Sequence, residues 1–152
     1  MTAYRYTLTR DLGPGPAITF VMLNPSTAGQ VADDATIRRV KGFAAREGAG
    51  LLIVVNLFAA RCTDSRELAR VEFPEGPGND RCILACCQAA GTVIAAWGTH
   101  GALHGRAAHV TAMLTAAGIK LSCLGVTRGG HPRHPLYLPA AAALGPYPGG
   151  AQ

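Results

Sequence analysis

Charge is scarce in this chain: only 15% of residues are Asp, Glu, Lys or Arg, against 49% hydrophobic. That balance excludes an intrinsically disordered segment, which needs the reverse. Aromatics are equally thin at 6%, with a single tryptophan. Long hydrophobic runs are missing too, since no stretch approaches the roughly 20 apolar residues that span a bilayer. The opening MTAYRYTLTRD lacks the basic-then-apolar pattern of an export signal, so a cytoplasmic protein is expected. No phosphate-loop motif and no GxGxxG opening a helix is present, which argues against a nucleotide hydrolase or transferase on a Rossmann-like sheet. The five cysteines, Cys62, Cys82, Cys86, Cys87 and Cys123, show no metal-ligand spacing. Reduced, buried thiols acting as small apolar residues are expected, although Cys82 and Cys86 could share a helix face. No metal and no cofactor is expected.

What is present is turn chemistry between short apolar runs. Nineteen glycines and ten prolines punctuate 152 residues, a length suited to one domain spanning 1–152. A formal net charge of +5 favours a phosphate-bearing partner only slightly. Four runs read as buried strands: AITFVML (17–23), LLIVVNLF (51–58), TVIAAW (92–97) and KLSCLGV (120–126). Between them lie helical stretches. Residues 35–47 follow Asp33-Asp34 as a cap and stop at Gly48, 79–90 begin at the capping pair Asn79-Asp80, and 101–117 end at Gly118. The alternating YRYTLTR suits an edge strand, and 139–152 reads as a short Ala-rich helix fading into a frayed tail.

Strands alternating with helices predict a three-layer α/β/α domain with a mainly parallel, four-stranded central sheet. Ligands of such sheets bind beyond the carboxyl ends of the strands. That gathers four polar, Gly- and Pro-rich loops at one edge: NPSTAGQVADD, NLFAARCTD, GTHG and TRGGHPRHPLY.

The motifs VMLNPSTA, VVNLFAAR, VIAAWGTHG and HPLYL together resemble the family catalogued as domain of unknown function 1643, from about Tyr6 to Leu138. The same motifs, in the same order, also resemble the uracil-DNA glycosylase superfamily. The resemblance implies that fold and a base-flipping hydrolase of N-glycosidic bonds. It implies that Asn24 orients the attacking water, that Pro25 fixes the loop, and that Asn56 reads the edge of the base. It implies that His134 donates a hydrogen bond to the base oxygen on which negative charge develops. Ser26 and Phe58 are then base-binding, with Phe58 or Phe43 as the stacking aromatic. Leu136, with Tyr137 and Leu138, falls where the superfamily carries a wedge that fills the gap left by a flipped base.

Plainer roles stand beside these. Asn24-Pro25-Ser26 also suits a turn after a strand, Asn56 also suits a structural amide, and His134-Pro135 also suits a turn. Trp97 suits closure of the core, while Asp33, Asp34, Arg38 and Arg39 suit a capped, solvated helix start. His100 faces the pocket or caps the following helix. Arg61, Arg128, His131 and Arg133 make a basic cluster on the same loops, fit to meet a nucleic-acid backbone. The small Ser26 and Thr27, and Leu-Tyr after His-Pro, depart from the superfamily pattern and leave room for a modified base, an RNA base or a free nucleotide. The expected function is a nucleobase glycosylase, monomeric, with DNA as partner and without membrane association. The alternative is a non-catalytic nucleic-acid or nucleotide binding module on the same fold.

Overall fold

In the computed structural model, residues 2–26 and 32–150 are described. In chain order they form β1 (Leu8–Asp11), β2 (Ala17–Met22), α1 (Ala35–Arg46), β3 (Leu51–Asn56), α2 (Asn79–Gln88), β4 (Thr92–Ala95), α3 (Arg106–Ala116), β5 (Leu121–Cys123) and β6 (Gly145–Pro146). Among the described residues, no helix is long and apolar enough to cross a membrane.

The strands lie in the order β1-β3-β2-β4-β5-β6. β3, β2, β4 and β5 pair in parallel, Ala17 opposite Leu51 and Met22 opposite Asn56 in the first ladder. The sheet has six strands, two more than the apolar runs predict, because β1 adds antiparallel to β3 and β6 antiparallel to β5.

Alternation along the strands sends side chains to two faces. Phe20, Leu52, Val54 and Ile94 pack against Ile37, Val40, Phe43 and Ala44 of α1. Val21, Val55, Val93 and Ala95 pack against Ile83 and Cys87 of α2 and Val110 and Leu114 of α3. Both faces of the interior strands are thus covered, which is why those strands read as continuous apolar runs.

α1 follows its sequence closely. The Asp34 side chain caps it by accepting from the Ile37 N–H at 2.8 Å. Its buried residues recur at helical spacing, and Ile37, Val40 and Phe43 each contribute about 1.5–3 kcal/mol by leaving water. Gly48, at φ +83°, reverses the chain so that the Ala49 N–H reaches the Ala44 carbonyl at 3.0 Å.

Three sequence expectations are corrected. Asn79 and Asp80 do not cap α2, whose N-cap is Gly78. The Asn79 amide instead donates to the carbonyls of Asn56 and Leu57, and Asp80 accepts from Arg106 and pairs with His109. The helix expected over 101–117 begins only at Arg106, because Leu103 and His104 leave helical dihedrals inside a preceding 3-10 segment, Gly98–Gly105. The C-terminal stretch is not an Ala-rich helix. It turns at Pro139–Ala142, pairs as β6, and buries Tyr147 edge-on against Trp97 with ring centroids 5.6 Å apart. Residues 151–152 lie outside the described residues.

All five cysteines are free. Burial pushes the Cys86 thiol up to about 11 and the Cys87 thiol up to about 12, so both behave as small apolar groups.

Candidate functional site

From β2 the chain crosses to β3 on one side, then returns past β2 to β4 on the other. The carboxyl ends of β2 and β4 therefore bound the switch point, where open α/β sheets place ligands. A cavity of about 450 Å³ opens there, floored by Met22, Val54 and Ile37 at the top of the α1-side core. Its size suits a nucleoside-sized ligand.

Asn24 leaves β2 into this cavity. Its amide nitrogen donates to the carbonyls of Pro25 at 3.0 Å and Cys62 at 2.8 Å, while the Cys62 N–H returns to the Pro25 carbonyl at 3.1 Å. Two carbonyl partners fix which end of the amide is nitrogen. Oδ1 accepts no hydrogen bond among the described residues, and Asn24 lines the cavity.

Asn56 ends β3 and is 5% exposed, opposite Met22 and on the α1 face with Val54. Its main-chain carbonyl is taken by Asn79. Its side-chain amide lines the cavity and has no hydrogen-bond partner among the described residues. Buried amides are ordinarily satisfied, so an amide with no partner among the described residues leaves hydrogen-bonding capacity open at the edge of the cavity.

His134 comes from the loop after β5. The Leu136 N–H donates to its Nδ1 at 3.2 Å, so the neutral ring carries its proton on Nε2. Burial lowers its pKa, against an opposing pull from Asp34, and the imidazole stays a neutral donor at neutral pH. Gly98 lets this loop close: it sits at φ +75°, its N–H donates to the Pro132 carbonyl at 2.9 Å, and a Cβ there would meet the His134 Cβ at 3.4 Å.

Pro25, Ser26, His100, Arg133 and Leu136 line the same cavity, so eight of the eleven expected site residues come together. Three do not. Phe58 is fully buried in the core on the opposite face, with its ring edge-on to His104 at 6.3 Å, and cannot stack on a ligand. Phe43, the other expected stacker, is buried under Arg39 and Arg46. Arg61 is exposed beyond the wall, its guanidinium reaching the Ser26 carbonyl at 3.4 Å. Arg128 is exposed on the turn that the Gly130 N–H closes to Thr127. Of the three wedge candidates, Leu138 is core, Leu136 is half-buried on the lining, and Tyr137 is 84% exposed beside the His134 ring. Thr27 lies outside the described residues.

Sequence reasoning undervalued three groups. Trp97 closes the core as expected, yet also lines the cavity. Asp34 caps α1 and at the same time presents its carboxylate to the cavity, held there by the Ser26 hydroxyl at 2.9 Å. Arg5 lines the cavity as well and carried no sequence signal beyond a charge in an alternating edge segment.

Fold and site together define an α/β protein with a polar-rimmed, apolar-floored cavity at the switch point of its sheet. The chain belongs to the family described as protein of unknown function (DUF1643), which matches residues 5–136 and so spans every cavity residue named above except Tyr137 and Leu138. No curated protein matches it, and no solved structure does.

Proposed function

We propose that this protein is a nucleobase N-glycosylase of the uracil-DNA glycosylase type, acting in the cytoplasm on a flipped uracil-like or modified base in DNA. The observation that carries the reading is the Asn56 amide, nearly buried, lining the cavity and without a hydrogen-bond partner among the described residues. One acceptor and two donors on a single planar group suit the edge of a pyrimidine. Four parallel strands between helices on both faces are compatible with the layered fold that the resemblance implies.

The chemistry divides among the cavity residues. Asn24 Oδ1 holds a water against the anomeric carbon, while the amide nitrogen is anchored to Pro25 and Cys62. As the C–N bond breaks, its electron pair moves onto the base. His134 Nε2–H stabilises the base oxygen, a contact worth about 2.7–4 kcal/mol by analogy with oxyanion holes. Positive charge developing on the sugar faces the Asp34 carboxylate, which supplies the negative charge that the Asn24 amide lacks. Water adds to the sugar as hydroxyl, and its proton ends on the released base. Tyr137, the exposed aromatic at the rim, replaces Phe58 as the stacking group.

A non-catalytic binding module on the same cavity is favoured by one observation, the neutral amide at Asn24 where a carboxylate would activate water more strongly. Duplex and single-stranded oligonucleotides bearing uracil, hydroxymethyluracil, hypoxanthine or mismatched thymine separate the two. Abasic sites formed by the wild type and lost in Asn24→Ala and His134→Ala support the glycosylase. Binding without abasic sites on any substrate assigns the binding module.

A further inference from the structure

We propose that Arg5 forms a phosphate-binding subsite in the wall of the cavity, so that the nucleobase ligand arrives carrying a phosphate. The base end of this inference rests on the nucleobase reading above; the phosphate end rests on Arg5 itself.

Arg5 lines the cavity, and its Nε and Nη1 are both buried without a hydrogen-bond partner among the described residues. Guanidinium stays charged under all ordinary conditions, so these donors cannot be silenced by losing a proton. Burying them unmatched is expensive, and an anion held against the guanidinium offsets part of that cost through its charge. Nη2, which keeps accessible surface and has no hydrogen-bond partner among the described residues, is the charged donor open to a phosphate oxygen.

Among the described residues, no carboxylate makes a salt bridge to Arg5. Asp34 is the carboxylate nearest in effect, yet its oxygens accept from the Ile37 N–H and the Ser26 hydroxyl and make no hydrogen bond to Arg5. Arg61 and Arg10 stand on the other side of the balance, and Arg10 is tied to Asp33 at 2.7 Å. Burial lowers the Arg5 pKa, with Arg61 adding to the effect and Asp34 opposing it. A bound anion would relieve both the burial and the repulsion.

The main chain that carries the group is held in place before any ligand binds. The Arg5 N–H donates to the Ala59 carbonyl at 2.8 Å, Tyr4 bridges Ala60, and the Arg61 N–H donates to the Ala3 carbonyl at 2.9 Å. The segment ahead of β1 is thereby stitched to the chain just past β3, and little main-chain ordering remains to be done on binding.

Calorimetric titration of inorganic phosphate, deoxyuridine, deoxyuridine 5′-monophosphate and a short single-stranded oligodeoxynucleotide bearing uracil tests this in the wild type, Arg5→Met and Arg5→Lys. The wild type should bind the monophosphate or the oligonucleotide about tenfold to a hundredfold more tightly than the nucleoside. Arg5→Met should remove that advantage while leaving nucleoside affinity and the thermal midpoint in place, and Arg5→Lys should restore part of it. Whichever phosphate-bearing ligand loses more in Arg5→Met identifies the source, free nucleotide or polynucleotide. Equal affinity for nucleoside and monophosphate in the wild type, with the oligonucleotide indifferent to Arg5→Met, overturns the subsite and leaves the nucleobase reading intact. Arg5-dependent phosphate binding without any nucleoside binding or base release does the reverse. No binding of any of the four overturns both.

Discussion

Two buried asparagines face different partners, and replacing each with leucine should move stability in opposite directions. Asn79 is 1% exposed and donates to the Asn56 carbonyl at 2.9 Å and the Leu57 carbonyl at 3.3 Å. Leu57 keeps a second donor, Arg106 Nε at 3.0 Å, so the main loss in Asn79→Leu is the side-chain partner of the Asn56 carbonyl. Stranding a buried carbonyl removes about 2 kcal/mol, which for a chain of this size lowers the midpoint by about 4–8 °C. The side-chain oxygen of Asn79 has no partner among the described residues, and losing it offsets part of this. Asn56 holds no partner through its own amide among the described residues, and a leucine there would lie beside Met22 and Val54. Asn56→Leu should therefore hold the midpoint or raise stability by about 1 kcal/mol, while abolishing nucleobase binding. Thermal and urea denaturation of both variants, with nucleoside titration alongside, reads the pair. A destabilisation of Asn56→Leu as large as that of Asn79→Leu would mean that Asn56 is a structural amide, and the site reasoning would fail.

Other consequences are as direct. The lowered pKa of His134 means that the unfolded chain takes up a proton there before the folded one does. Its contribution is complete above the unfolded value, about 6.5, and stability is lost as pH falls through that value; His134→Gln should flatten this slope in denaturant titrations across pH. Gly98→Ala places a side chain in a left-handed conformation against the His134 loop, and should lower stability by about 1–2 kcal/mol and weaken ligand binding in the same calorimetric assay. Tyr137→Ala removes an exposed ring and should shift stability by no more than about 0.5 kcal/mol, while weakening single-stranded oligonucleotide binding by about 1–3 kcal/mol in a fluorescence titration.

The interior of this fold is written locally and its margins are not. Apolar runs mark β2 to β5 because those strands are covered on both faces, and Asp34 and Gly48 mark the ends of α1 because caps act within a few residues. β6 is two residues, Gly145–Pro146, with no apolar pattern; it exists because β5 offers an open edge and Tyr147 finds Trp97. Asn79 and Asp80 look like caps, but long-range carbonyl and arginine partners claim both side chains.

The site shows the same division. Asn24, Asn56 and His134 are legible because each sits at the end of a strand or on the loop that follows one. Phe58 misled because it is two residues past Asn56, yet the chain beyond β3 turns it into the opposite core. Arg5 was invisible because its placement depends on pairing between residues 3–5 and 59–61, which no local pattern announces.

The most direct test is single-turnover release of free base from uracil-bearing and modified-base oligonucleotides, followed by mass spectrometry. The account predicts release by the wild type, with loss of about a hundredfold or more in His134→Ala. Wild-type protein that binds these oligonucleotides yet frees no base from any of them would contradict it.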